Sequence, residues 1–141
     1  MNIELYDKYN EKYLNDIYQI YSSVGWTNHN KNNIHEIFSN STFVTLASHN
    51  DKIIGFARAL SDGVFNAAIY DFVVKNEFQS QSIGIQILNH ILIQIGSLSC
   101  IHLISTTNNM KFYEKAGFRK LKTGMVLYQS ESLKMEYTEK T

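Results

Sequence analysis

Two short segments of this 141-residue chain carry residue types that could do chemistry. The first, Gln79-Ser80-Gln81-Ser82-Ile83-Gly84, sits where an apolar run gives way to a helical pattern. The first N–H groups of a helix have no internal partner and carry partial positive charge, so a diphosphate can accept their hydrogen bonds. Gly84 has no Cβ and lets such a ligand approach the backbone closely. The second segment, Phe112-Tyr113-Glu114-Lys115-Ala116-Gly117-Phe118, supplies the hydroxyl of Tyr113. A tyrosine with its ordinary pKa of about 10 keeps its proton at neutral pH and can donate it to developing negative charge.

Each segment also has a plainer reading. The first could be an apolar helix capped by Ser80 or Ser82. In the second, Phe112 and Phe118 could be core anchors, Gly117 a helix stop and Tyr113 a half-buried aromatic.

The elements that must position these segments follow from periodicity. Residues 2–6 alternate as a short edge strand would. Leu14, Ile17, Tyr18, Ile20, Tyr21 and Val24 form a helical stripe ending near Gly25, and a second short helix runs through Ile34, Ile37 and Phe38. Residues 42–48 and 52–60 read as strands joined by the turn His49-Asn50-Asp51, and residues 65–74 as a third strand after the turn Ser61-Asp62-Gly63. The period then changes, with Ile83, Ile87, Leu88, Ile91, Leu92 and Ile95 at helical spacing up to Gly96. A buried strand over 100–105, a helix over 108–115 and a last strand over 123–130 complete the order β-α-α-β-β-β-α-β-α-β. This is an α+β class domain with a mixed, mostly antiparallel central sheet flanked by helices.

Composition excludes several functions. Thirteen basic and thirteen acidic residues cancel, so no global field gathers nucleic acid or an anionic membrane. The single Cys100 cannot form an intramolecular disulfide and reads as a small core residue in an apolar run; no Cys/His cluster has metal spacing, so no metal is expected. The amino terminus lacks the basic start and apolar stretch of a secretory signal, and the apolar window 83–95 is too short to span a bilayer. A cytoplasmic protein is expected.

Together the two segments resemble the acyl-CoA-binding half of the GNAT superfamily of N-acetyltransferases. That family's pattern is Arg or Gln, two variable residues, Gly, one variable residue, then Gly or Ala. Gln79 and Gly84 match it, and Ser82 stands at the first glycine position. The preceding Phe72-Val73-Val74-Lys75-Asn76-Glu77-Phe78 resembles the family's strand-to-loop entry, with Asn76 where proline is common. Residues 112–118 match the second hallmark at nearly every position. No Lys, Arg, Asp or Glu occurs from Phe78 to Met110, so backbone dipoles and neutral side chains would carry most of a diphosphate interaction.

The resemblance implies a single GNAT-type domain over 1–141 that takes acetyl-CoA as co-substrate. It places the cofactor against Phe72, Val73, Val74, Gln79, Ser80, Gln81, Ser82, Ile83, Gly84, Ile85, Asn108 and Tyr113. It makes Tyr113 the candidate general acid for the leaving thiolate. Asp71, an ionisable residue in an apolar strand, is either the base or a buried acceptor for backbone N–H groups and Arg58. Asp62 is a weaker candidate, because turns favour aspartate without catalysis. Trp26 either packs over the acceptor or anchors the first helix. The implied reaction moves an acetyl group directly to a primary amine on a small molecule or peptide. The resemblance also allows a homodimer. The alternative is a non-catalytic acyl-CoA-binding or interaction module of the same fold.

Overall fold

Two apolar runs separated by Asn50-Asp51 form the centre of the fold, the antiparallel hairpin of β2 (Phe43–His49) and β3 (Lys52–Ser61). Asn50 and Asp51 both take positive φ, 51° and 62°, the geometry of a two-residue hairpin turn whose twist matches its strands. The computed structural model describes residues 2–79 and 82–140 and divides into two compact units, 1–104 and 105–141.

In the first unit, β1 (Glu4–Tyr6), β2, β3, β4 (Asn66–Val74) and β5 (Cys100–Leu103) form a sheet in that order. All neighbours are antiparallel except β4 and β5, whose parallel pairing requires the crossover through α3 (Ile83–Ile95). Helices α1 (Leu14–Ser23) and α2 (Lys31–Ser39) contribute Ile17, Ile20, Tyr21, Ile34 and Phe38 to a cluster with Val44, Leu46, Phe56 and Val73. Helix α3 buries Ile83, Ile87, Leu88 and Ile91. Packed between helices, β2 and β3 bury both faces and therefore read as continuous apolar runs rather than alternating ones. Each fully buried Ile, Leu or Phe contributes roughly 1.5–3 kcal/mol.

Turns and caps explain the boundaries. The Asn30 side chain accepts from Asn33 N–H at 2.8 Å and starts α2. Asp62 Oδ1 accepts the N–H groups of Val64, Phe65 and Asn66 at 2.8, 2.8 and 3.0 Å, holding its carboxyl down at about 2. That engagement accounts for an aspartate in this turn without catalysis.

The second unit contains α4 (Met110–Lys115) and α5 (Glu131–Tyr137). The strand expected over 123–130 is not formed. Those residues are irregular, and Ser130 starts α5 by accepting from Leu133 N–H at 3.4 Å. The reason is that apolar residues alone do not make a strand. A ladder partner must exist, and Gly124 weakens the run. A second correction concerns 100–105: β5 lies at the end of the sheet, is only partly buried, and Cys100 is exposed rather than a core residue.

Candidate functional site

Strand β4 is not regular where the site residues lie. Phe56 pairs with Val73 and Arg58 with Tyr70, so the single Ala57 on β3 faces both Asp71 and Phe72 on β4. This is a β-bulge, and Asp71 carries it in the left-handed region at φ 49°. Bulges re-aim a strand next to a site, which is the effect on Phe72, Val73 and Val74 here.

The Asp71 carboxylate is engaged. Its Oδ2 accepts from the Tyr21 hydroxyl at 2.8 Å and from Arg58 Nε at 2.8 Å. Asp71 is therefore a largely buried ion-pair partner of Arg58. Burial and the neighbouring carboxylate push the Tyr21 hydroxyl well above the ordinary tyrosine range, so it stays protonated and donating.

From Val74 the chain passes through a short 3-10 turn, Asn76–Phe78, to Gln79. The Gln79 side-chain amide donates to the Val74 carbonyl at 2.9 Å and to Asn76 Oδ1 at 3.1 Å, closing the loop back onto β4. Ser80 and Gln81 lie outside the described residues. Ser82 precedes α3 in the left-handed conformation at φ 62°, and its side chain makes no capping bond. Of the two serines that the plainer reading offered as caps, Ser82 therefore does not serve, because a left-handed cap does not present its hydroxyl as an extended one does. The geometry also explains why glycine suits this position, since a Cβ is strained at positive φ. Ile83 is buried under the turn, and Gly84 and Ile85 are half-buried in the first turn of α3. The donor set suits a diphosphate through main-chain N–H groups rather than through charge.

Trp26 is half-buried and joins the helix-side cluster. Gly25 at φ 86° ends α1. The Trp26 N–H bonds the Tyr21 carbonyl at 3.0 Å, that of Gly25 the Ser22 carbonyl at 3.1 Å, and the two rings meet at 5.8 Å. This is a Schellman termination with its hydrophobic contact. Trp26 is thereby tied through Tyr21 to Asp71. His29 stacks on Tyr21 at 4.4 Å, with its Nδ1 buried and unpartnered among the described residues. Sequence reasoning missed Tyr21 and His29. The signal for Tyr21 was present in the spacing Tyr-x-x-x-Gly-aromatic, which occurs twice in the chain.

The second occurrence lies in the other unit, at Tyr113. Gly117 takes φ 99°; its N–H bonds the Glu114 carbonyl at 3.0 Å and the Phe118 N–H bonds the Tyr113 carbonyl at 3.1 Å. The rings of Phe112 and Phe118 sit edge-on to Tyr113 at 5.1 and 5.9 Å. Burial pushes the Tyr113 hydroxyl up to about 12, which keeps it a donor across the neutral range. Asn108, two residues before α4, is exposed and left-handed at φ 71°.

Asp71, Phe72, Val73, Val74, Gln79, Ser82, Ile83, Gly84, Ile85 and Trp26 thus belong to one unit, and Asn108 and Tyr113 to the other. Among the described residues no group of three or more His, Cys, Asp or Glu could hold a metal ion, and no helix is long and apolar enough to cross a membrane.

Residues 4–118 match the model of the Acetyltransferase (GNAT) family. The chain is 34% identical over 128 residues to the uncharacterized N-acetyltransferase ycf52 of Porphyra purpurea, covering 84% of this chain and 74% of that protein. It is 32% identical over 113 residues to the ycf52 protein of Pyropia yezoensis, covering 76% of this chain but only 65% of that relative. Among solved structures, the GNAT-family acetyltransferase SP0256 of Streptococcus pneumoniae superposes with a TM-score of 0.76 at 27% identity, covering 92% of this chain and 98% of that one. The bulged strand, the turn into α3 and the tyrosine segment accordingly sit in a chain that belongs to the GNAT superfamily of N-acetyltransferases.

Proposed function

We propose that this chain transfers an acetyl group from acetyl-CoA directly to a primary amine. The observation that supports this most is the bulge in β4 at Asp71–Phe72, after which the Gln79 side chain ties the following loop back onto Val74. Backbone groups of Phe72, Val73 and Val74 would lie along the pantetheine arm and polarise the thioester carbonyl. Gln79–Ile85 would receive the diphosphate mainly through main-chain N–H groups, and the family resemblance adds Asn108 as a cofactor contact. Bound acetyl-CoA supplies an activated acyl carbon, at which a C–N bond forms as the C–S bond breaks.

Tyr113 donates to the departing sulfur. With its hydroxyl pushed up to about 12, it is a weaker acid than an ordinary thiol at about 8.5. Its contribution is therefore a hydrogen bond to the developing thiolate more than complete transfer of the proton. The amine's proton leaves to water, because Asp71 Oδ2 already holds two donors and suits an anchoring role. Trp26 forms an apolar wall for the acceptor, a small molecule or peptide amine. We place the protein in a reducing, cytoplasm-like compartment, where the exposed Cys100 thiol persists.

Calorimetric titration with acetyl-CoA, followed by thiol release over a panel of amines, tests the reading. Binding with amine-dependent thiol release is expected. Binding without turnover over a broad panel would favour a non-catalytic acyl-CoA-binding module, and absence of binding would overturn both.

A further inference from the structure

The left-handed backbone at Asp71 is a costly choice for a residue with a Cβ, and glycine would adopt it freely. What aspartate adds is a carboxylate, and side chains from two other elements close on one of its oxygens. Tyr21 reaches it from α1 at 2.8 Å and Arg58 from β3 at 2.8 Å. Neither donor is loose. The Tyr21 ring is fully buried, packs against Phe56 at 5.0 Å, and sits in the terminal turn of α1, where its carbonyl is bonded by Trp26 N–H. Arg58 pairs across the ladder with Tyr70, the residue before the bulge, and its guanidinium lies over that ring at 5.3 Å.

A bulge is one extra residue in a strand, and nothing in the ladder itself stops it from moving one position along. Such a migration turns the residues between the old and the new position to the other face and re-aims their backbone groups. We propose that Tyr21 and Arg58 are positioning residues: by gripping Asp71 Oδ2 together they pin the β4 bulge at Asp71–Phe72 and so fix where the backbone of Phe72–Val74 points. The importance of that aim for catalysis rests on the acetyl-CoA reading above. The pinning itself does not.

Two measurements separate these parts. The first is amide hydrogen exchange on the unliganded chain. Tyr21→Phe, which keeps the ring, and Asp71→Gly, which relieves the backbone while removing the carboxylate, are expected to exchange at least tenfold faster over residues 70–74, with β2 unchanged. Asp71→Asn is expected to restore part of the protection. Unchanged exchange in Asp71→Gly would overturn the clamp, because the backbone would then hold its own shape. The second compares the dissociation constants of CoA and acetyl-CoA. In Tyr21→Phe and Arg58→Gln, CoA affinity is expected to stay within threefold while the preference for acetyl-CoA falls toward one. Equal weakening of both ligands would show general destabilisation and overturn the positioning role. A wild-type chain that binds neither ligand would count against the proposed function alone, leaving exchange to decide the clamp.

Discussion

Phe118 holds Tyr113 twice: its backbone N–H bonds the Tyr113 carbonyl at 3.1 Å, and its ring lies edge-on to the tyrosine at 5.9 Å. Trp26 holds Tyr21 by the same backbone bond, at 3.0 Å, and by a tilted ring contact at 5.8 Å. In both cases a glycine at positive φ lets the chain double back, so that the aromatic after it covers the tyrosine three residues before the cap. Both tyrosines are buried and both hydroxyls are pushed up. The motif Phe112–Phe118 is thus first a folding device, and its product is a tyrosine locked in the protonated state.

Gly117 is the part of that device with no substitute. At φ 99° any L side chain is strained, although no atom lies within 4 Å of where its Cβ would be. Gly117→Ala should therefore destabilise the turn by about 1–2 kcal/mol through the backbone alone. Denaturant unfolding should register the loss, and turnover should fall with it as Tyr113 loses its cover. Wild-type stability in this variant would show that the turn carries no strain.

Tyr113→Phe removes the hydroxyl and keeps the ring packing against Phe112 and Phe118. Turnover should fall by roughly 10²–10³-fold if the hydroxyl stabilises the leaving sulfur as a hydrogen-bond donor, with acetyl-CoA affinity little changed. The raised value also predicts a pH effect. Between about 10 and about 12 the folded chain keeps a proton that the unfolded chain has lost, so stability falls as pH rises through that window. The difference in alkaline absorbance between wild type and this variant should titrate near 12; a midpoint near 10 would contradict the burial.

Much of this was legible in the sequence, and the failures share a cause. Asn50-Asp51, Gly25, Gly96 and Gly117 marked turns correctly because the signal is local: a positive φ asks for particular residues. Helix α3 was legible because its apolar spacing runs unbroken from Ile83 to Ile95. Residues 123–130 were misread because a strand is completed by its neighbour, which periodicity does not supply. Cys100 was misread because an apolar run does not reveal that its strand lies at the end of the sheet. At the site, Asp71 stood out as an ionisable residue among apolar ones, but the bulge beneath it is set by pairing with β3 and could not be seen.

Ser82 offers a test in the opposite direction. A serine at φ 62° with no capping bond bears strain that glycine would remove, at the cost of a more flexible unfolded chain. Ser82→Gly should therefore stabilise the chain by about 0.5–1 kcal/mol. It should also tighten acetyl-CoA binding severalfold, because a bare backbone lets the diphosphate approach more closely. Thermal melting and calorimetry read the two effects separately. Weaker binding with higher stability would assign the serine hydroxyl a direct contact with the ligand.

Gly55 couples the sheet to α3 by the absence of a side chain. A Cβ there would lie 2.9 Å from Ile87 Cδ1 and 3.0 Å from the Val73 carbonyl oxygen. The isoleucine tip can rotate, but the carbonyl belongs to β4 and cannot move without disturbing the strand pairing at Val73 and Val74. Gly55→Ala should cost about 1–3 kcal/mol as overpacking. The strain should also fall on the strand proposed to meet the thioester, so catalysis should drop in the variant even at temperatures where it remains folded. Full activity at unchanged stability would mean that β3 and α3 separate freely, against the close packing at this glycine.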